Sequence, residues 1–135
     1  TQAYTLSLHD ALPIWLGGMH ALAHPIGALY DTHHGMTNAV VMPYVLAANR
    51  EAIAPRIERL AAWLGIAGGF DGFLDWIKAI RAELKVPETL TAFGVPRDGF
   101  DTIVAMAIED PTAGGNPLPL TAQLASQMLG ASFGD

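Results

Sequence analysis

Five histidines, His9, His20, His24, His33 and His34, fall within the first 34 residues, and none follows. The chain contains no cysteine, so a metal ion would have to be held by imidazole and carboxylate. His20 and His24 are four apart, which on a continuous helix projects both imidazoles from one face. Pairs at that spacing also occur on ordinary core and surface faces, and Pro25 disturbs the geometry here. His34 strengthens the pattern, because it stands at the mouth of the next apolar segment, directly before Gly35. A helix kinked near Pro25 and turning back through Tyr30 to His33 would bring His34 beside His20. Three neutral imidazoles in an apolar surround suit a first-row divalent metal.

The elements that must position these side chains read as helices. From Gly17 to Tyr30, the apolar residues Met19, Leu22, Ala23, Ile26 and Leu29 recur at helical spacing, and Pro25 is expected to kink or restart that helix. Asp31 and Thr32 read as a break. Met36 to Asn49 is apolar nearly throughout, with Pro43 inside it, which is the pattern of a helix buried on most sides. Ile53, Ile57, Leu60 and Leu64 make one stripe of an amphipathic helix from Arg50 to Leu64, ended by Ala67-Gly68-Gly69. Asp71 is placed to cap the next helix, in which Phe73, Leu74, Ile77, Ile80 and Leu84 repeat at three and four, and Pro87 closes it. Asp98 or Gly99 opens a helix carrying Phe100, Ile103, Val104, Ala107 and Ile108, which stops at Asp110-Pro111. Ala113 to Pro119 is a loop, and Thr121 caps a last helix through Leu129. Gly114-Gly115-Asn116 lacks a GxGxxG pattern and a preceding strand, so it reads as a connecting turn. Trp63, Trp76 and Phe73 read as core. Strand-type alternation is missing, and about six helices imply an all-α bundle.

Composition bounds the function. One hundred and thirty-five residues make one domain at most. A 51 % apolar and 15 % charged chain has ample material for a core. Its net charge of −6 offers no basic surface for neutralising phosphates, so nucleic acid is not an expected partner. No apolar run reaches the ~18 residues a membrane span needs. No secretory signal is legible, so the chain reads as soluble and cytoplasmic, in keeping with the absence of cysteine.

The run His20-Ala-Leu-Ala-His24-Pro-Ile-Gly27-Ala-Leu-Tyr30-Asp-Thr-His-His34-Gly35, continuing through Thr37-Asn38-Ala39, Met42-Pro43-Tyr44 and Asn49, strongly resembles the iron-containing alcohol dehydrogenases. Asp110-Pro-Thr-Ala-Gly-Gly-Asn-Pro117 extends the resemblance, which covers roughly Trp15 to the C-terminus. It implies a partial C-terminal all-α domain, residues 15–135, of a two-domain dehydrogenase whose N-terminal α/β domain binds NAD or NADP. By position in the motif, His20 and His34 correspond to two metal ligands. His24 corresponds to the histidine near the nicotinamide and substrate that is implicated in proton transfer. The metal implied is Fe2+, with Zn2+ as the alternative, and the substrate a small alcohol or aldehyde. A bound divalent cation would favour negative charge on the alcohol oxygen and so ease hydride release, while a histidine with a reference pKa of ~6.5 passes the proton. The full-length enzyme is expected to be a homo-oligomer. His33 receives no role and reads as a solvated or loop residue. Asp31 is not expected to ligate, because the family takes its carboxylate from elsewhere.

Two departures stand out. The family places an Asp and a further His, spaced D-x-x-x-H, well upstream of this motif, and neither that segment nor a Gly-rich dinucleotide motif is present. Residues 1–14 do not resemble the family: Thr5-Leu-Ser-Leu-His-Asp-Ala-Leu-Pro-Ile14 resembles the translation of a common short-read sequencing adapter, so these residues read as a non-native leader and His9 as functionless. The expectation is therefore a truncated reading frame whose product alone has no dehydrogenase activity. Other members of the superfamily, such as a glycerol dehydrogenase or a maleylacetate reductase, are the nearest enzyme alternatives, although the Ala-His24-Pro-Ile-Gly27 and Thr37-Asn38-Ala39 wording favours the alcohol dehydrogenase branch. A freestanding helical metal-binding or interaction module is the alternative from another class.

Overall fold

The computed structural model describes residues 17–135. The 1–14 leader, His9 and Trp15 lie outside the described residues. Among the described residues seven α-helices follow one another: α1 (Gly17–Tyr30), α2 (His34–Ala48), α3 (Arg50–Leu64), α4 (Gly69–Glu83), the single turn α5 (Leu90–Phe93), α6 (Phe100–Glu109) and α7 (Ala122–Phe133). A 3-10 turn at Ala113–Gly115 precedes α7, and there is no strand among the described residues. The all-α expectation holds. The extra helix is α5, whose four residues are too few to show a period; Thr89 marks its start by accepting from the Ala92 N–H at 3.1 Å.

Two apolar clusters organise the chain. The larger joins Leu22 and Ile26 of α1, Val40, Val41 and Val45 of α2, Leu90 of α5, Ile103 and Val104 of α6, and Met128, Leu129 and Phe133 of α7. The smaller joins Leu46 of α2 to Ile53, Ile57 and Ala61 of α3 and to Phe70, Phe73 and Ile77 of α4. Helix α2 belongs to both, which is why its sequence lacks a polar face.

Pro25 does not restart the first helix, which runs unbroken from Gly17 to Tyr30. A proline inside a helix costs about 3 kcal/mol. Burying Leu22 and Ile26, which flank it and are fully inaccessible, returns roughly 1.5–3 kcal/mol each. Packing therefore outweighs the lost hydrogen bond. The chain reverses instead at Asp31, in the left-handed region at φ 53°, a conformation that Asp tolerates better than most residues.

Three boundaries differ from the sequence reading. Helix α3 ends at Gly65, left-handed at φ 74°, ahead of Ala67-Gly68-Gly69. Gly68, at φ 94°, starts α4, so Asp71 is not the cap. Asp71 lies in the first turn and bonds Arg50 of α3 at 2.7 and 3.0 Å, which pulls its carboxyl below the ordinary value. Helix α7 starts at the Thr121 cap as expected but continues past Leu129 to Phe133. No helix among the described residues is long and apolar enough to cross a membrane.

Candidate functional site

The unbroken α1 keeps His20 and His24 on one face, with ring centroids 5.8 Å apart. The Asp31 reversal then delivers the first residue of α2, His34, to the same place. Its ring lies 5.3 Å from His20 and 5.4 Å from His24, nearly parallel to the latter. The three candidate histidines thus converge as expected, with the reversal at the Asp31 break read from the sequence and without a restart of the helix at Pro25. His33 stays outside the cluster. It is exposed and caps α2, its Nδ1 accepting from the Met36 N–H at 3.3 Å.

Each imidazole has its own setting. Asn38, one turn along α2, donates from Nδ2 to His34 Nε2 at 3.0 Å, so that nitrogen carries a lone pair. The Oδ1 of the same amide is buried with no hydrogen-bond partner among the described residues. His24 reaches across to Asp110, the residue that ends α6, with Nδ1 and Oδ2 2.8 Å apart. Asp110 is largely buried, and its other oxygen accepts from the Thr112 N–H at 2.8 Å and from the Thr112 hydroxyl. Burial pushes the Asp110 carboxyl up, but the Thr112 hydroxyl and N–H and the His24 ring together outweigh it and hold the group below the ordinary carboxylate value. It is therefore an ionised, acceptor-only group near neutrality.

The sequence reading missed this partner. Asp110 lies 86 residues from His24, and its visible role was only to stop a helix before Pro111. The Asn38 contact, by contrast, follows from i, i+4 spacing on α2.

A second polar construction ties the start of α1 to the end of α2 and to the loop before α7. Asn49, which is buried, and Asn116 exchange two hydrogen bonds of 2.8 Å. Asn116 Oδ1 also accepts from the Gly18 N–H at 3.0 Å, and its Nδ2 donates to the Leu118 carbonyl at 2.7 Å. The Gly114-Gly115-Asn116 segment is thus a connecting turn, as read, and it crosses α1 at close quarters. A Cβ on Gly17 would sit 2.2 Å from Asn116 Cα, so only glycine admits this approach.

Imidazole nitrogens beside an orphaned amide oxygen are the right donor chemistry for a first-row metal ion. Their number is insufficient. Among the described residues, no group of three or more His, Cys, Asp or Glu is arranged to hold a metal ion.

Fold and cluster together define an all-helical domain that gathers imidazoles and an ionised carboxylate where α1, α2 and the end of α6 meet. Residues 13–133 match the model of the Fe-containing alcohol dehydrogenase family, C-terminal, and the chain belongs to that family. It is 31 % identical over 114 residues to the NADPH-dependent butanol dehydrogenase of Clostridium saccharobutylicum, covering 78 % of this chain and 29 % of that protein. It is 35 % identical over 109 residues to the 1,3-propanediol dehydrogenase of Klebsiella pneumoniae, covering 76 % and 28 %. A crystal structure of 1,3-propanediol oxidoreductase superposes with a TM-score of 0.80 at 29 % identity, covering 87 % of this chain and 32 % of that one. The chain spans about a third or less of the length of these relatives.

Proposed function

We propose that this chain is the later part of the helical domain of an NAD(P)-dependent, metal-dependent dehydrogenase that interconverts small alcohols and aldehydes or ketones by hydride transfer. The observation that carries the reading is the convergence of His20, His24 and His34 within 5.8 Å of one another in a member of this family. His20 and His34 are the two imidazoles that would hold the metal, iron first and zinc as the alternative, with the remaining ligands from outside the described residues. When bound, that ion supplies a positive charge that favours the deprotonated alcohol and polarises the carbonyl in the reverse direction. His24, whose ring is partly open to solvent, holds and passes the proton. NAD or NADP would be held chiefly by a dinucleotide domain beyond this chain. The 135-residue chain alone is proposed to be inactive, and the full-length enzyme to be a homo-oligomer.

The test begins with the genomic DNA upstream of the Trp15 codon. The reading expects a frame that continues into a D-x-x-x-H helix and a Gly-rich dinucleotide domain. In the protein so encoded, His24→Gln is expected to lower kcat by about 10²- to 10⁴-fold with metal content unchanged, whereas His20→Ala and His34→Ala lose the metal. Genomic DNA that natively encodes residues 1–14 would favour a freestanding helical module instead. NAD(P)-dependent alcohol oxidation by the 135-residue chain would overturn its inactivity.

A further inference from the structure

We infer that Asp110, held in place by Thr112, is a positioning residue that fixes His24 as its Nδ1–H tautomer and leaves Nε2 as the nitrogen through which a proton is exchanged. The inference deepens the reading of His24 as a proton-passing group and rests on it. The geometry is a chain of three residues. His24 Nδ1 lies 2.8 Å from Asp110 Oδ2, and the opposite oxygen, Oδ1, accepts from both the N–H and the hydroxyl of Thr112. An ionised carboxylate has no proton to give, so the nitrogen facing it must carry one. In neutral imidazole the other nitrogen then bears the lone pair.

Thr112 makes the arrangement testable. With two donors aimed at Oδ1, an amide at position 110 must turn its own oxygen toward Thr112, because its NH2 group there would face two donors. Its Nδ2 would then meet His24 and donate, which requires a lone pair at His24 Nδ1 and moves the proton to Nε2. Asp110→Asn, although isosteric, is therefore expected to reverse the tautomer. His33 provides an opposite internal reference, since its Nδ1 accepts from the Met36 N–H and its neutral form must be Nε2–H.

The experiment is long-range proton–nitrogen correlation NMR on the metal-free 135-residue chain, ¹⁵N-labelled at histidine, with the His24 signal assigned by its loss in His24→Gln. The expected result is His24 as Nδ1–H beside His33 as Nε2–H, with His24 switching to Nε2–H in Asp110→Asn. A wild-type His24 in the Nε2–H form, whether or not the chain holds its fold, overturns the inference, as does a folded Asp110→Asn that keeps Nδ1–H. If Asp110→Asn unfolds, Asp110→Glu decides: its acceptor-only carboxylate must retain Nδ1–H, and Nε2–H there overturns the proposal. The two readings fail separately. A fixed Nδ1–H tautomer with full activity of His24→Gln in the longer enzyme sinks the proton-transfer role and leaves the pair standing. An inactive His24→Gln with wild-type His24 as Nε2–H does the reverse.

Discussion

Asn116 shows how much a single buried amide can hold together. It bonds the start of α1 through Gly18, the end of α2 through Asn49, and its own loop through Leu118. Truncating it leaves the Oδ1 of Asn49, which is 1 % exposed, and the N–H of buried Gly18 without their partner, while Asn49 Nδ2 keeps the Val45 carbonyl. A buried polar group left unsatisfied costs about 1–3 kcal/mol, and at least two are created. Asn116→Ala is therefore expected to lower unfolding stability by about 3 kcal/mol, read from urea denaturation. A loss below about 1 kcal/mol would mean that the reciprocal amide pair does not form. Both asparagines stand in the sequence motif, yet nothing local reveals that they face each other across 67 residues.

At the scale of elements, the α3–α4 pair shows where periodicity reads correctly and where it slips. The buried stripe of α3 is Ile53, Ile57 and Ala61, four apart, whereas Leu64 is 45 % exposed. Trp63 stands two residues beyond Ala61, about 200° around the helix, and is 70 % exposed. Trp76 lies beside buried Ile77, is 41 % exposed, and meets Phe73 along the same helix, with ring centroids 5.7 Å apart. Of the three aromatic residues read as core, only Phe73 is buried. Phe73→Ala is accordingly expected to cost about 3–5 kcal/mol in this chain, and Trp63→Ala about 0.5 kcal/mol or less. Equal losses in thermal or urea melts would refute the assignment of faces.

At the scale of the whole molecule, three acidic pairs among the described residues join distant segments: Asp71 with Arg50, Asp110 with His24, and Asp135 with Arg97. The Arg50 and Arg97 hydrogen bonds hold Asp71 and Asp135 below the ordinary carboxylate value, and Asp110 is also depressed despite its burial. The folded values lie below the unfolded ones. Their contribution is therefore complete above the unfolded Asp value of ~3.9 and is lost as pH falls through the folded values. The urea midpoint is expected to drop as pH falls below about 4. Added salt should weaken the solvent-exposed Arg50 and Arg97 pairs first, because ions screen them most. A midpoint independent of acid would show that the pairs do not form.

The sequence by itself determined the all-helical class, most helix positions, the three histidines that meet and the family to which the chain belongs, because each is written in local spacing or in a contiguous motif. Helical period and the four-residue step from His20 to His24 survive whatever the rest of the chain does. Only the tertiary structure decided that Pro25 leaves α1 unbroken, that Asp110 meets His24, and that Trp63 and Trp76 face outward. Each of these depends on contacts between residues remote in sequence. Burial outweighs a lost helix hydrogen bond, and a carboxylate finds its imidazole only after α1 and α6 have packed.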